Sequence, residues 1–293
     1  MSWQDRALVF ECGGESLVGI LSAPQGPARV GVLVVVGGPQ YRVGSHRQFV
    51  SLARYLAARG VPCLRFDYRG MGDASGAARH FLDVSEDIRA AMDAFLAAQP
   101  GLEKVVLWGL CDGASAVCVY PASDARVAGV VILNPWVQTS AGQAKVFLKH
   151  YYLQRLSDPS FWKKLLGGGV NVFGSIRSLF STARAARGDG AARTANSSDE
   201  ADAGSLPERM AQGMLRRAGT PAALFLSGRD YVAREFEQVR DGSERWQAVV
   251  TRPEVSTRHF EQADHTFSGP DDCPAVSAAT FEWLVAQGWA PAS

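Results

Sequence analysis

Gly109-Leu110-Cys111-Asp112-Gly113 follows directly on the apolar run Val105-Val106-Leu107-Trp108. A nucleophile flanked by glycines at a strand-to-helix turn is a hydrolytic pattern, here with a thiol where a hydroxyl is more usual. The turn is sharp and strained, so a side chain at either flank would meet neighbouring backbone. The strain exposes the central residue at the carboxyl edge of a sheet. Ala114-Ser115-Ala116-Val117 opens a small-residue helix whose N-terminus favours a thiolate or an oxyanion. Taken alone, the five residues fit equally well a buried cysteine in a glycine-containing turn.

Chain order separates the two readings. Asp230 follows the apolar run Pro221–Leu226 and Ser227-Gly228-Arg229, which places it in a loop past a strand end. It suits the acid that fixes an imidazole's tautomer and stabilises the imidazolium. The competing reading is a loop aspartate bonding its own backbone. Asp241 reads as a turn residue, and Asp264 adjoins the candidate histidine too closely to face its ring. That histidine is His265, between the strand-like His259–Gln262 and a terminal helix over Val276–Leu284. Of the others, His259 falls within a strand, His80 precedes a helix, His150 lies in a helical stretch, and His46 follows the first glycine loop, where it can line a pocket. The order nucleophile, acid, histidine matches a hydrolase built on an α/β sheet.

The elements that must hold these residues alternate. Leu17–Leu21 reads as an opening hairpin strand and Gly31–Val36 as a strand buried on both faces. Phe49–Gly60 reads as an amphipathic helix with a glycine cap, and Val61–Phe66 as the next strand. A helix over Val84–Ala98 and a strand over Val127–Leu133 follow. The fold class expected is α/β: a mostly parallel sheet with helices on both faces. Residues 1–135 and 206–293 form its core. Residues 136–205 are expected to form a helical cap. They are rich in aromatics (Phe147, Tyr151, Tyr152, Phe161, Trp162, Phe173, Phe180) up to about 180, with a mobile stretch near 182–205. A lid of this kind excludes water and selects the acyl group.

Four segments resemble the α/β-hydrolase superfamily and, within it, the exosortase A system-associated hydrolase 1 group: Gly37–Arg47, Asp67–Asp73, Gly109–Gly113 and Asp264–Phe267. The superfamily similarity covers about residues 8–135 and 206–288. The resemblance implies an α/β-hydrolase fold and a Cys-Asp-His triad like that of dienelactone hydrolases, on Cys111, Asp230 and His265. It also implies a link with bacterial exopolysaccharide and protein-sorting systems. One stretch departs from the superfamily pattern. Where a His-Gly pair normally precedes a backbone oxyanion donor, this chain has Gly37-Gly38-Pro39, and proline carries no N–H. The donor is expected to move to Gln40, by backbone or side-chain amide, or to the Tyr41 hydroxyl, with the Asp112 N–H as its partner. Losing one such donor costs about a hundredfold or more in rate, which argues against ordinary ester hydrolysis.

The chain has 293 residues, 47% hydrophobic, and a net charge of +1, enough for one large domain with an insert and no match for a nucleic-acid partner. Five cysteines without paired spacing, and a start lacking a basic-then-apolar pattern, point to a reducing, cytoplasmic setting without stable membrane insertion. No metal, nucleotide loop or cofactor is implied. Lys163-Lys164 reads as solvated helix surface, and Arg216-Arg217 suits the last turn of a helix. Arg42, His46 and Arg47 beside the oxyanion region suggest an anionic substrate group, and Tyr41 and Trp136 complete the expected pocket.

The chemistry expected is acyl transfer to sulfur from a small-molecule or acyl-carrier ester, lactone or thioester. Simple amides are disfavoured, because the tetrahedral intermediate would expel thiolate first. An acyltransferase using the same acyl-enzyme and a non-catalytic binding protein on a hydrolase scaffold are the two alternatives.

Overall fold

A computed structural model describes residues 2–37, 40–137 and 204–291. The chain divides into two compact units, Met1–Val137 with Pro207–Ser293, and Gln138–Leu206. The expected cap, its aromatics and its mobile stretch lie almost wholly outside the described residues.

The first unit is built on an eight-stranded sheet in the order β1-β2-β4-β3-β5-β6-β7-β8. The strands are β1 (Trp3–Cys12), β2 (Glu15–Pro24), β3 (Val30–Val35), β4 (Cys63–Asp67), β5 (Lys104–Leu110), β6 (Val127–Leu133), β7 (Ala222–Ser227) and β8 (Val255–Phe260). β1 and β2 pair antiparallel, as do β2 and β4; every later pairing is parallel. The central strands β3 and β7, and β5 after Lys104, read as apolar runs because helices cover both faces of the sheet, whereas β4, equally buried, carries Arg65 and Asp67. Edge strand β8 is mostly exposed instead.

Helix α1 (Gln48–Ala57) buries Phe49, Leu52, Ala53 and Leu56, an i, i+3, i+4, i+7 stripe. These side chains pack with Val32, Val34 and Trp108 of the sheet and with Leu284 of the last helix, Asp272–Ala286. The Trp108 ring meets Phe49 edge-on at 5.8 Å and its Nε1–H donates to Thr280 at 3.3 Å, so the tryptophan's polar atom is satisfied inside the core. On the opposite face, Phe95 of α2 (Ser85–Ala98) lies so close to Gly31 that a Cβ there would come within 2.6 Å of its ring. α1 ends three residues before Gly60, whose φ of 87° turns the chain into β4.

The loop leaving β4 is pinned by one buried ion pair. The backbone N–H and Nε–H of Arg69 both donate to Asp87 Oδ1 at 2.9 Å, and Nη2 donates to Oδ2 at 2.9 Å. Asp87 is fully buried and Arg69 nearly so. Removing Asp87 leaves the buried Arg69 guanidinium only its contact with the exposed Glu86, at 2.8 Å. Asp87→Ala is expected to lower the unfolding free energy by about 3 kcal/mol or more, read from urea denaturation; a change below about 1 kcal/mol would mean that the pair contributes as little as a surface bridge.

Arg216 closes helix α4 (Leu206–Arg216), as expected of this pair, while Arg217 lies just past it and is buried, its Nη2 donating to the Tyr120 carbonyl at 2.5 Å. Asp241 is the last residue of helix α5 (Tyr231–Asp241), and the turn expected at Asp241-Gly242-Ser243 follows it at Gly242.

Candidate active site

Cys111 sits between β5 and α3 (Asp112–Val119) with φ 60° and ψ −125°, a conformation that L-residues adopt only when their surroundings impose it. Both flanking glycines are required by close approach. A Cβ on Gly109 would lie 2.5 Å from the Gly113 carbonyl oxygen, and one on Gly113 would lie 2.4 Å from the Val35 carbonyl at the end of β3. The elbow is also tied from outside. The Trp136 N–H donates to the Cys111 carbonyl at 3.2 Å, while the buried Ser115 hydroxyl donates to the Trp136 carbonyl at 2.5 Å.

Asp230 ends the loop after β7 and caps α5. Its Oδ1 accepts from the Val232 N–H at 3.1 Å and its Oδ2 from the Ala233 N–H at 3.2 Å. The same Oδ2 lies 2.7 Å from His265 Nδ1. Backbone capping and histidine binding, alternatives in the sequence, coexist on one carboxylate. The His265 side chain and the Asp112 N–H both act on the Cys111 sulfur, each favouring its charged form. The ends of β5 and β7 and the loop after β8 thus bring sulfur, carboxylate and imidazole to one edge of the sheet, with the imidazole and carboxylate in direct contact.

Burial pushes the Cys111 thiol up, and the His265 ring and the Asp112 N–H pull it only part of the way back. Burial also opposes charge on the His265 ring. The Cys111 sulfur and the Asp230 carboxylate outweigh it, holding the imidazole protonated well above the usual histidine range. The direction that follows is a strong base beside a sulfur that does not ionise independently, the two titrating as one unit.

The remaining expected site residues fall as follows. Gly38 and Pro39 lie outside the described residues. The Gln40 side-chain carbonyl accepts from Gln48 Nε2 at 3.4 Å. Tyr41 is exposed, with the Arg42 guanidinium 5.6 Å from its ring centre. Arg42 does not offer a free positive charge: its guanidinium is bound by Asp67 and Asp73, and its N–H donates to Asp67 Oδ1 at 2.7 Å. The anionic substrate group inferred from this loop is thus not supported at Arg42, because two carboxylates neutralise it within the protein. His46, with φ 41°, places Nε2 2.9 Å from the Thr266 carbonyl, so that nitrogen carries hydrogen and the ring holds the histidine loop.

Asp264, set aside as the acid, braces the same loop. Its Oδ1 accepts from the N–H groups of Thr266 at 3.1 Å and Ser268 at 2.9 Å, and its Oδ2 from the Ser268 hydroxyl. Phe267 in this loop is buried with φ 55°. Sequence reasoning passed over Asn134 and Ser227. Asn134 is fully buried after β6, its amide bonded to Ser227 and to the His265 carbonyl. Among the described residues no group of three or more His, Cys, Asp or Glu is arranged to hold a metal ion, and no helix is long and apolar enough to cross a membrane. A cavity of about 750 Å³ at the other end of the parallel strands, lined by Arg29, Lys104, Thr220 and Trp289 among others, contains none of these site residues.

An eight-stranded sheet of this order, with a strained elbow after β5 and a carboxylate and histidine after β7 and β8, defines a known class. The alpha/beta hydrolase family model matches residues 32–280, and the chain belongs to that family. The polyketide transferase GrgF of a Penicillium species is 24% identical over 123 residues, 41% of this chain and 40% of that protein. The crystal structure of GrgF superposes with a TM-score of 0.62 at 18% identity, covering 97% of this chain and 98% of that one. The quorum-quenching protein AidA of Acinetobacter baumannii is 34% identical over 94 residues, 30% of this chain and 31% of its own. The sequence matches thus span under half the length of these curated relatives. The Pyrococcus furiosus esterase Pf2001 has a TM-score of 0.66 at 16% identity, over 99% of this chain and 94% of that one.

Proposed function

We propose that this protein is a cysteine-nucleophile acyl hydrolase acting on an ester, lactone or thioester, free or on an acyl carrier, with Cys111, His265 and Asp230 as its triad. The observation that carries the reading is the chain of contacts from the Cys111 sulfur through His265 to Asp230 Oδ2, 2.7 Å from Nδ1, on an elbow strained at Cys111. His265 takes the thiol proton as sulfur attacks the carbonyl carbon. The oxyanion is held by the Asp112 N–H, with Gln40 as the second donor. The leaving alcohol or thiol departs with the proton from His265. Water, deprotonated by the same ring, then releases the acid and restores the thiol.

All five cysteines are free, and a thiol nucleophile needs a reducing compartment, which favours a cytoplasmic setting. The motifs resembling the exosortase A system-associated hydrolase 1 group support a role beside bacterial exopolysaccharide systems. A second reading is acyl transfer with water excluded. It draws on relatives described as a polyketide transferase and an acyltransferase.

An electrophilic acyl probe followed by mass spectrometry tests the common core. The acyl group is expected on Cys111 and on no other cysteine. Failure of Cys111 to label while other thiols react would leave only a non-catalytic protein on a hydrolase scaffold. Comparing acyl release in the presence and absence of thiol or sugar acceptors then separates hydrolysis from transfer.

A further inference from the structure

We propose that Asn134 is a positioning residue that sets the place of the general base by holding the backbone of His265; this rests on the triad reading above. Asn134 is the first residue beyond β6, has no exposed surface, and adopts φ 42°. Its side chain is saturated across the sheet. Oδ1 accepts from the Ser227 N–H at 2.9 Å, while Nδ2 donates to the Ser227 hydroxyl at 2.8 Å and to the His265 carbonyl at 3.1 Å. Its own N–H donates to the Phe225 carbonyl at 3.1 Å. Two residues on, Trp136 binds the Cys111 carbonyl. One buried amide therefore joins the strand end leading to the elbow contact, the strand end three residues before Asp230, and the histidine itself.

The segment around His265 has no helix or strand to fix it, so its backbone groups are held by side chains. Asp264 binds the N–H groups of Thr266 and Ser268, and His46 the Thr266 carbonyl. Asp264 is local and moves with the loop, and His46 stands on another loop. Asn134 alone among these three side chains stands at the end of a central strand. Its chemistry is specific. The position needs one acceptor and two donor hydrogens on a neutral side chain, because the site is buried and two of its partners are carbonyl or hydroxyl oxygens. Aspartate of equal size cannot donate to the His265 carbonyl. Asparagine also tolerates the left-handed backbone better than most residues. Asn134 touches no reacting atom, so its effect on rate must pass through His265.

The test uses Asn134→Asp, Asn134→Gly and Ser227→Ala, alone and with His265→Ala. The glycine keeps the left-handed backbone and removes the amide. Three quantities are read: the rate of Cys111 alkylation by iodoacetamide against pH, kcat and KM on a p-nitrophenyl ester, and the thermal midpoint. A displaced base is expected to lower kcat about 10- to 100-fold in the two Asn134 variants, with KM within about threefold and an altered alkylation profile. Ser227→Ala, which frees one Nδ2 hydrogen, is expected to lower kcat about fivefold and carries the test if neither Asn134 variant folds. In the His265→Ala background the same changes should alter alkylation by less than about twofold, since the residue through which they act is gone. Unchanged kcat and alkylation in the folded variants, or losses of equal size with and without His265, would overturn the proposal and leave Asn134 a clamp between β6 and β7. An alkylation profile and kcat untouched by His265→Ala itself would overturn the triad reading instead.

Discussion

Cys111→Ala is expected to lower kcat by roughly 10⁴- to 10⁶-fold while leaving the thermal midpoint nearly unchanged. Alanine keeps the Cβ that the elbow accommodates, so the φ 60° turn, the Trp136 bond and the glycine contacts all survive. Only the sulfur is lost. Cys111→Ser separates chemistry from packing further. A hydroxyl holds its proton far more tightly than a thiol, so the ring must do more of the work in the transition state. The shorter bond from Cβ also draws the nucleophile back from a site shaped around sulfur. The serine variant is expected to lose about a hundredfold or more. Steady-state rates on p-nitrophenyl esters and on thioesters measure both variants. A serine enzyme as fast as the parent would mean that sulfur is incidental to this site.

How much of this was legible along the chain depended on the range of the interaction. The elbow was readable because its constraint is local: Gly109 and Gly113 are demanded by backbone atoms within a few residues and by the strand beside them. Asp230 was singled out by its place after an apolar run, and His265 by chain order and its place in a loop before the terminal helix. Strands β3, β6 and β7 declared themselves by apolar sequence. β1 did not, because it lies at the sheet edge with most of its residues exposed and so carries little apolar pattern. Helices α1 and α2 matched their expected spans to within a few residues, whereas the final helix begins at Asp272, earlier than its apolar pattern suggested. The polar framework was invisible for a physical reason. Asn134 meets Ser227 and His265 across 93 and 131 residues, and Arg42 meets Asp67 and Asp73 across 25 and 31. Nothing in the neighbouring sequence reports such partners. A basic loop therefore looked like a charged pocket although Arg42 in it was already neutralised.

Asp230→Asn tests the last link, and it can be read because this residue does two jobs. The asparagine side chain keeps a carbonyl oxygen to cap α5, so the fold should persist with a midpoint within a few degrees of the parent. What changes is the charge beside His265 Nδ1, now 2.7 Å from Oδ2. In the parent, burial works against an imidazolium, and the sulfur and the carboxylate together prevail, raising the ring's pKa. A raised pKa means that the ring stays protonated, and unable to act as a base, until higher pH. The acidic limb of kcat/KM therefore belongs above the ordinary histidine range. Removing the carboxylate lowers the ring's pKa, so this limb should move towards lower pH in the variant. The rate on the plateau should fall by about 10²- to 10⁴-fold, because the imidazolium formed during attack loses its counter-charge and Nδ1 loses the acceptor that fixes its tautomer. The two effects have opposite signs at low pH and cannot both come from misfolding, which lowers the whole profile without moving its limb. A plateau within about twofold of the parent and a limb at the same pH would reduce Asp230 to a helix cap.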